Sequence, residues 1–226
     1  GVAALYAASG VLRAAPAATP SPPPSPAATP PATSTTSTDA LGRELMRLIN
    51  LDRAALGKPA LVIDPGLVAI ARDARFACPT KKSLVLRGRA ADLAARSYFG
   101  HVVKGCSVAG TTTPYRALDI VRGVFGYAQA RSEILHWNAV GTGWTRATTY
   151  ALGCDLAGHS CKGATTSTPQ TVAVAQRNFM SSSAHRSSEL AAYRRFGCGT
   201  ATVPGTTRTY YACLFSDGGS TSFSPS

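Results

Sequence analysis

Ala90-Ala91-Asp92-Leu93-Ala94-Ala95-Arg96-Ser97-Tyr98-Phe99-Gly100-His101 reads as an amphipathic helix that runs out on a glycine and delivers a histidine. Far downstream, Phe179-Met180-Ser181-Ser182-Ser183-Ala184-His185-Arg186 delivers a second histidine. Between them lies Arg131-Ser132-Glu133-Ile134-Leu135. Two imidazoles and a carboxylate from three distant segments can hold a divalent cation or move protons if folding gathers them in one cleft. No compact signature such as HExxH is present, so the order and spacing of the runs carry the reading.

Upstream of this stretch, Thr38 or Asp39 caps a helix with Leu41, Leu45, Leu48, Ile49 and Leu56 at helical spacing, and Gly57 and Pro59 end it. Ala60 to Ile63 is short and apolar, as a strand is. Asp64-Pro65 then opens a second helix through Leu67, Ile70, Ala71 and Ala74 towards Phe76. Lys81 and Lys82 mark a turn. Ser83 is expected to open the third helix, with Leu84, Leu86, Ala90, Leu93 and Ala94, and Gly100 to stop it.

Downstream, Thr113-Pro114 repeats the cap-and-proline signal ahead of Leu118, Ile120 and Val121. Residues 123–170 read as loops with short strands. Thr171 to Met180 and Ala184 to Leu190 read as helices, the serine run capping the second. Arg195 to Val203 and Arg208 to Ser216 flank Pro204-Gly205-Thr206-Thr207, the pattern of a β-hairpin.

Six cysteines are dispersed without a CxxC pair, which suits disulfides and an oxidising compartment. Cys198 and Cys213 fall on opposite hairpin arms and are expected to bond. Cys154 and Cys161 close a short loop as a disulfide, or as a Cys/His/Cys knuckle with His159 that would need a fourth ligand. Cys78 and Cys106 then remain.

The formal net charge is +12 over 226 residues, and 45% of residues are hydrophobic. A cored domain with a basic surface follows, favouring anionic partners. No basic run is interleaved with aromatics, so nucleic acid is not an expected partner. Residues 14–38 are almost entirely Ala, Pro, Ser and Thr, the composition of an extended linker. Gly1 to Leu12 is apolar and leads into Ala14-Ala15-Pro16-Ala17-Ala18, like the remnant of a signal or anchor segment. It is too short to span a bilayer. The expected organisation is therefore 1–38 signal or anchor remnant plus linker, 39–217 folded domain and 218–226 flexible tail, in a monomer.

The ordering of these runs resembles the CAP superfamily of cysteine-rich secretory, antigen 5 and pathogenesis-related 1 proteins, in its bacterial secreted SCP-domain form. Leu48-Ile49-Asn50-Leu51-Asp52-Arg53 and Leu61-Val62-Ile63-Asp64-Pro65-Gly66-Leu67 are similar to the family's opening helix, short strand and second helix. Ala90 to His101 and Phe179 to Arg186 resemble the segments that bring its two cavity histidines. Thr113 to Leu118 resembles the short helix after the first. Ser132-Glu133-Ile134-Leu135 stands where Gly-Glu-Asn-Ile is usual, and Gly197-Cys198-Gly199 with Tyr210 to Phe215 resembles the closing hairpin. A second cavity glutamate of eukaryotic members is absent, with Ser182 nearest to it, and residues 138–169 form an insertion with its own cysteine loop.

The resemblance implies an α+β fold, a three-layer α-β-α sandwich with a C-terminal antiparallel hairpin. It places His101, Glu133 and His185 on one cleft as candidate catalytic or binding residues. His101 and His185 are the candidate ligands of Zn²⁺ or another divalent cation, with Glu133 a third ligand, an acceptor fixing a histidine tautomer, or a general base. Ser181 to Ser183 lack a G-x-S-x-G elbow and are expected to cap a helix rather than attack a substrate. Glu189 is expected to face solvent or to pair with His185, Arg186, Arg194 or Arg195. The functional expectation is a secreted or surface-tethered extracellular module that binds a lipid, sterol-like or anionic cell-envelope ligand. The alternatives are a metal-dependent, protease-like hydrolase using the same cleft, and a basic scaffold without cleft chemistry.

Overall fold

The computed structural model describes residues 38–139, 144–149, 164–169 and 171–225. The chain opens with α1 (Thr38–Ala55), β1 (Val62–Ile63) and α2 (Pro65–Arg72). Leu41, Leu45, Leu48 and Ile49 form one buried stripe along α1, at the spacing of a single helix face. Asp64 caps α2 by accepting from the Gly66 and Leu67 amides at 3.0 and 3.1 Å, which satisfies donors that the first turn leaves unpaired.

Past α2 the structure departs from the sequence expectation. Residues 76–86 form a hairpin of β2 (Phe76–Cys78) and β3 (Lys81–Leu86), and α3 covers only Arg89–Arg96. The segment from Ser83 is thus strand before it is helix. Leu84 and Leu86 are two positions apart, which suits a strand's alternation and not a helix face, and Leu86 packs in one core with Cys78. Nor does Gly100 stop α3: Ser97 takes a left-handed backbone, φ 50°, and turns the chain there. Thr113-Pro114 likewise opens a strand. β4 (Val102–Ser107) pairs with β5 (Pro114–Arg116), and α4 (Ala117–Gly123) starts after it.

β6 (Ala130–Ala139) is ten residues long, in a region read as loops with short strands. β7 (Trp144–Thr149) and β8 (Ala164–Pro169) pair antiparallel. α5 (Val172–Ser181) is capped by Thr171, whose hydroxyl accepts from the Val174 amide. α6 (Ser183–Leu190), β9 (Arg195–Thr202) and β10 (Arg208–Ser216) complete the chain.

The main sheet has the order β1-β9-β10-β6, with β1 parallel to β9 and the other pairs antiparallel. Alternation along β10 builds the layers. Tyr211, Cys213 and Phe215 pack with Leu45 and Ile49 of α1 and Phe179 of α5. Leu214 packs with Leu67, Ile70 and Ile120 of α2 and α4, and Tyr210 and Ala212 with Ala90 and Leu93 of α3. Helices therefore cover both sheet faces, and the fold is α+β, an α-β-α sandwich closed by the β9–β10 hairpin. A Cβ on Gly197 or Gly199 would stand 2.2 Å from the Val68 or Arg72 nitrogen. Two glycines on β9 let α2 lie directly on the strand.

Cys198 and Cys213 are bonded across the hairpin with Cα atoms 4.1 Å apart, the short spacing of a non-hydrogen-bonded pair. Cys78–Cys106 ties the β2–β3 hairpin to β4. The expected Cys154–Cys161 pair, the residues 1–37 and most of the 138–169 insertion lie outside the described residues. The segment expected as a tail is anchored: the Ser220 hydroxyl donates to the Phe125 carbonyl at 2.6 Å and the Phe223 ring meets Phe125 edge-on at 4.9 Å. Among the described residues, no helix is long and apolar enough to cross a membrane.

Candidate functional site

β6 is an edge strand of the sheet, and it carries Glu133 with His101 beside it. Glu133 and Leu135 share the face that α3 covers, while Ile134 and His136 look the other way. Glu133 is buried, its side chain 2% exposed, and Arg89 at the start of α3 meets it at 2.5 Å. The second Glu133 oxygen lies 2.9 Å from His101 Nδ1. Arg89 also donates to the Tyr98 hydroxyl and the Gly100 carbonyl, at 3.1 and 2.7 Å. Tyr98 in turn donates to Asp92, which holds Arg96 at 2.7 Å. The turn between α3 and β4 is thus laced to the helix it leaves.

His101 is fixed from behind and open in front. Its carbonyl accepts from the Ala117 amide at 2.8 Å, and its side chain is 57% exposed. Burial pushes a carboxyl's proton affinity up, but the Arg89 charge and the bonds from His101 and Arg89 outweigh it. Glu133 is held below the usual carboxylate range. An ionised Glu133 accepts, so His101 Nδ1 donates to it, and the rest of the ring faces outward. Of the three roles open to Glu133, the geometry takes the tautomer-fixing one. One of its oxygens accepts from Arg89 and the other lies against His101.

His185 comes from α6 and is not among the residues that line the cavity shared by His101 and Glu133, so the structure brings two of the three expected site residues together there. Its ring packs edge-on against Phe179 at 5.2 Å. Burial, and then the charge of His101, lower its proton affinity. Ser188 of α6 lies 2.7 Å from Ser132 of β6, hydroxyl to hydroxyl, pinning helix to strand. His136, absent from the sequence expectation, packs at 5.6 Å from the Phe179 ring, and burial and the His185 charge bring it down to about 4. The Ser181 hydroxyl donates to the Asn178 carbonyl at 2.9 Å, a helix-end contact rather than an activated nucleophile. Glu189 does not face solvent. It is fully buried and accepts from Gln176 Nε2 at 2.7 Å, while the same amide donates to Asp52 at 2.8 Å.

The donor set does not fit a resident zinc ion. Among the described residues, no three His, Cys, Asp or Glu are grouped to hold a metal. His101 and His185 by themselves are one ligand short of the smallest usual zinc site.

A cavity of about 350 Å³ opens beside His101, lined by Val102, Arg116, Leu118, Arg131, Ser132 and Glu133 as well. Sequence reasoning missed Arg89, Arg116 and Arg131. For Arg89 one signal was available: a cation in the first turn of a helix opposes the helix dipole, so its partner had to come from elsewhere.

No protein-family profile matches the chain, and no curated protein is recognisably similar to it. Among solved structures, the chain is similar to an extracellular protein containing an SCP domain from Bacillus anthracis str. Ames, with 17% identity and a TM-score of 0.46. That likeness covers 80% of this chain, which spans 41% of the Bacillus protein.

Proposed function

We propose that this chain is a CAP-type extracellular binding module whose His101 cleft holds a lipid or cell-envelope ligand. The observation that carries this is the cavity beside His101, whose ring is held by the buried Arg89–Glu133 pair. The Ser181 hydroxyl serves a helix end, while Ser182, expected to cap α6, stands at its N-cap without a side-chain cap bond. What the cleft offers a ligand is an oriented imidazole nitrogen, arginine donors and the apolar walls of Val102 and Leu118. A few placed polar groups among apolar ones is the usual make-up of a ligand site. Two disulfides suit an oxidising exterior.

The test is a screen of peptide and ester substrates with and without chelator, beside imidazole NMR of the same protein. Ring shifts at His101 on adding lipid or wall fragments, with no hydrolysis, are expected. Turnover that His101→Ala abolishes would reassign the cleft to the hydrolase reading.

A further inference from the structure

We infer that the His101 cleft recognises a phosphate ester, gripped between Arg116 and Arg131. This deepens the binding reading above and rests on it. The two arginines arrive from different elements for different reasons. Arg116 stands opposite Val102 in the β4–β5 pair, so the same ladder that seats His101 brings Arg116 alongside. Arg131 comes from an irregularity in β6. Phe215 pairs with Ser132 and Ser216 with Ala130, which leaves Arg131 as the extra residue of a bulge. Successive side chains of a regular strand point to opposite faces. Here Arg131, Ser132 and Glu133 all line one cavity. Re-aiming a side chain is what bulges beside sites do.

Charge bookkeeping then decides the ligand's sign. Glu133 is balanced by Arg89, and Asp217 takes Arg131 through Nε at 2.7 Å, leaving the Arg131 Nη groups to other acceptors. Among the described residues, no carboxylate pairs with Arg116. The cleft is therefore net cationic, in a chain of net charge +12. Planar guanidinium forks match oxyanions. Two of them around one imidazole suit the several oxygens of a phosphate better than a lone carboxylate, and Val102 and Leu118 receive the carbon part of the ester.

Glycerol 3-phosphate, with neutral glycerol as control, is titrated against His101 imidazole NMR. Vesicles of phosphatidylcholine with and without phosphatidylglycerol supply the lipid-borne form. The phosphate probe is expected to shift the His101 ring, and Arg116→Gln or Arg131→Gln to weaken binding about tenfold each, at unchanged melting temperature. Lys82→Gln, on the exposed β3 hairpin, is expected to change nothing. Binding only to phosphatidylglycerol vesicles, lost in the arginine variants, supports the inference with a lipid headgroup as the source. Equal shifts from glycerol and glycerol phosphate, or undiminished binding by the double arginine variant, overturn the phosphate and leave the cleft reading standing. Silence of His101 towards every probe sinks the cleft reading as well.

Discussion

Arg89 and Glu133 form the buried ion pair on which the His101 geometry depends. Removing one partner of such a pair leaves an uncompensated charge in the interior, at a cost of about 3–5 kcal/mol. Glu133→Leu is expected to lose that much in urea denaturation, and adding Arg89→Met to recover most of it. A double variant as unstable as the single one would show that packing, not charge, holds this corner. His101 is expected to show the Nδ1–H tautomer by ¹⁵N NMR, and an Nε2–H tautomer would contradict the donation from Nδ1 to Glu133. Micromolar zinc is expected to leave the melting temperature unchanged, because among the described residues no three donors are grouped to hold a metal. A rise that His101→Ala removes would show that the chain finds a third donor. The histidines and Glu133 were legible in the sequence because polar residues inside motif-like runs stand out. Arg116 and Arg131 did not stand out: their roles come from a strand pairing and a bulge, and neither leaves a local mark.

Elements carry the pH dependence. α1, α5 and α6 meet at Asp52, Gln176 and Glu189, with Arg53 donating to the Glu189 carbonyl at 2.5 Å. Burial raises Glu189 to about 8 from an ordinary 4.5, against the opposing Gln176 bond. An acid whose folded value is raised is kept neutral by the fold. Its contribution is complete below its unfolded value and is lost as pH climbs through the folded one. Burial shifts Asp52 in the same sense. The melting temperature is therefore expected to fall between about pH 5 and about pH 9, and Glu189→Gln, which mimics the neutral acid, to flatten that fall. Parallel profiles for the two proteins would discard the assignment. Sequence reasoning placed Glu189 in solvent because a glutamate on a short helix usually faces water, and only the packing of three helices revealed otherwise. The β3 strand escaped notice for a related reason. Alanines after Leu86 continue a helical pattern, and the strand before them is defined by pairing with β2.

At the scale of the whole molecule, the disulfides and the charge matter most. Cys78–Cys106 encloses 28 residues, worth roughly 3.5 kcal/mol in the chain-entropy account. Cys198–Cys213 spans 15 residues that a hairpin ladder already restrains. Replacing Cys78 and Cys106 by serine is thus expected to lower the urea midpoint more than replacing the hairpin pair, and the reverse order would show that the hairpin owes its register to its disulfide. A net charge of +12 also predicts vesicle binding with a salt-sensitive surface component over a residual component from the cleft. What the sequence determined by itself is whatever rests on local chemistry: the cap at Asp64, the apolar stripe of α1, the hairpin around Pro204-Gly205, and the candidacy of the two histidines. The tertiary structure alone decided that β6 runs ten residues along β10, that its bulge falls at Arg131 beside the cavity, and that Arg89 meets the buried Glu133. Those outcomes depend on partners far away in the chain, and a residue's own neighbours carry no record of a partner that only folding supplies.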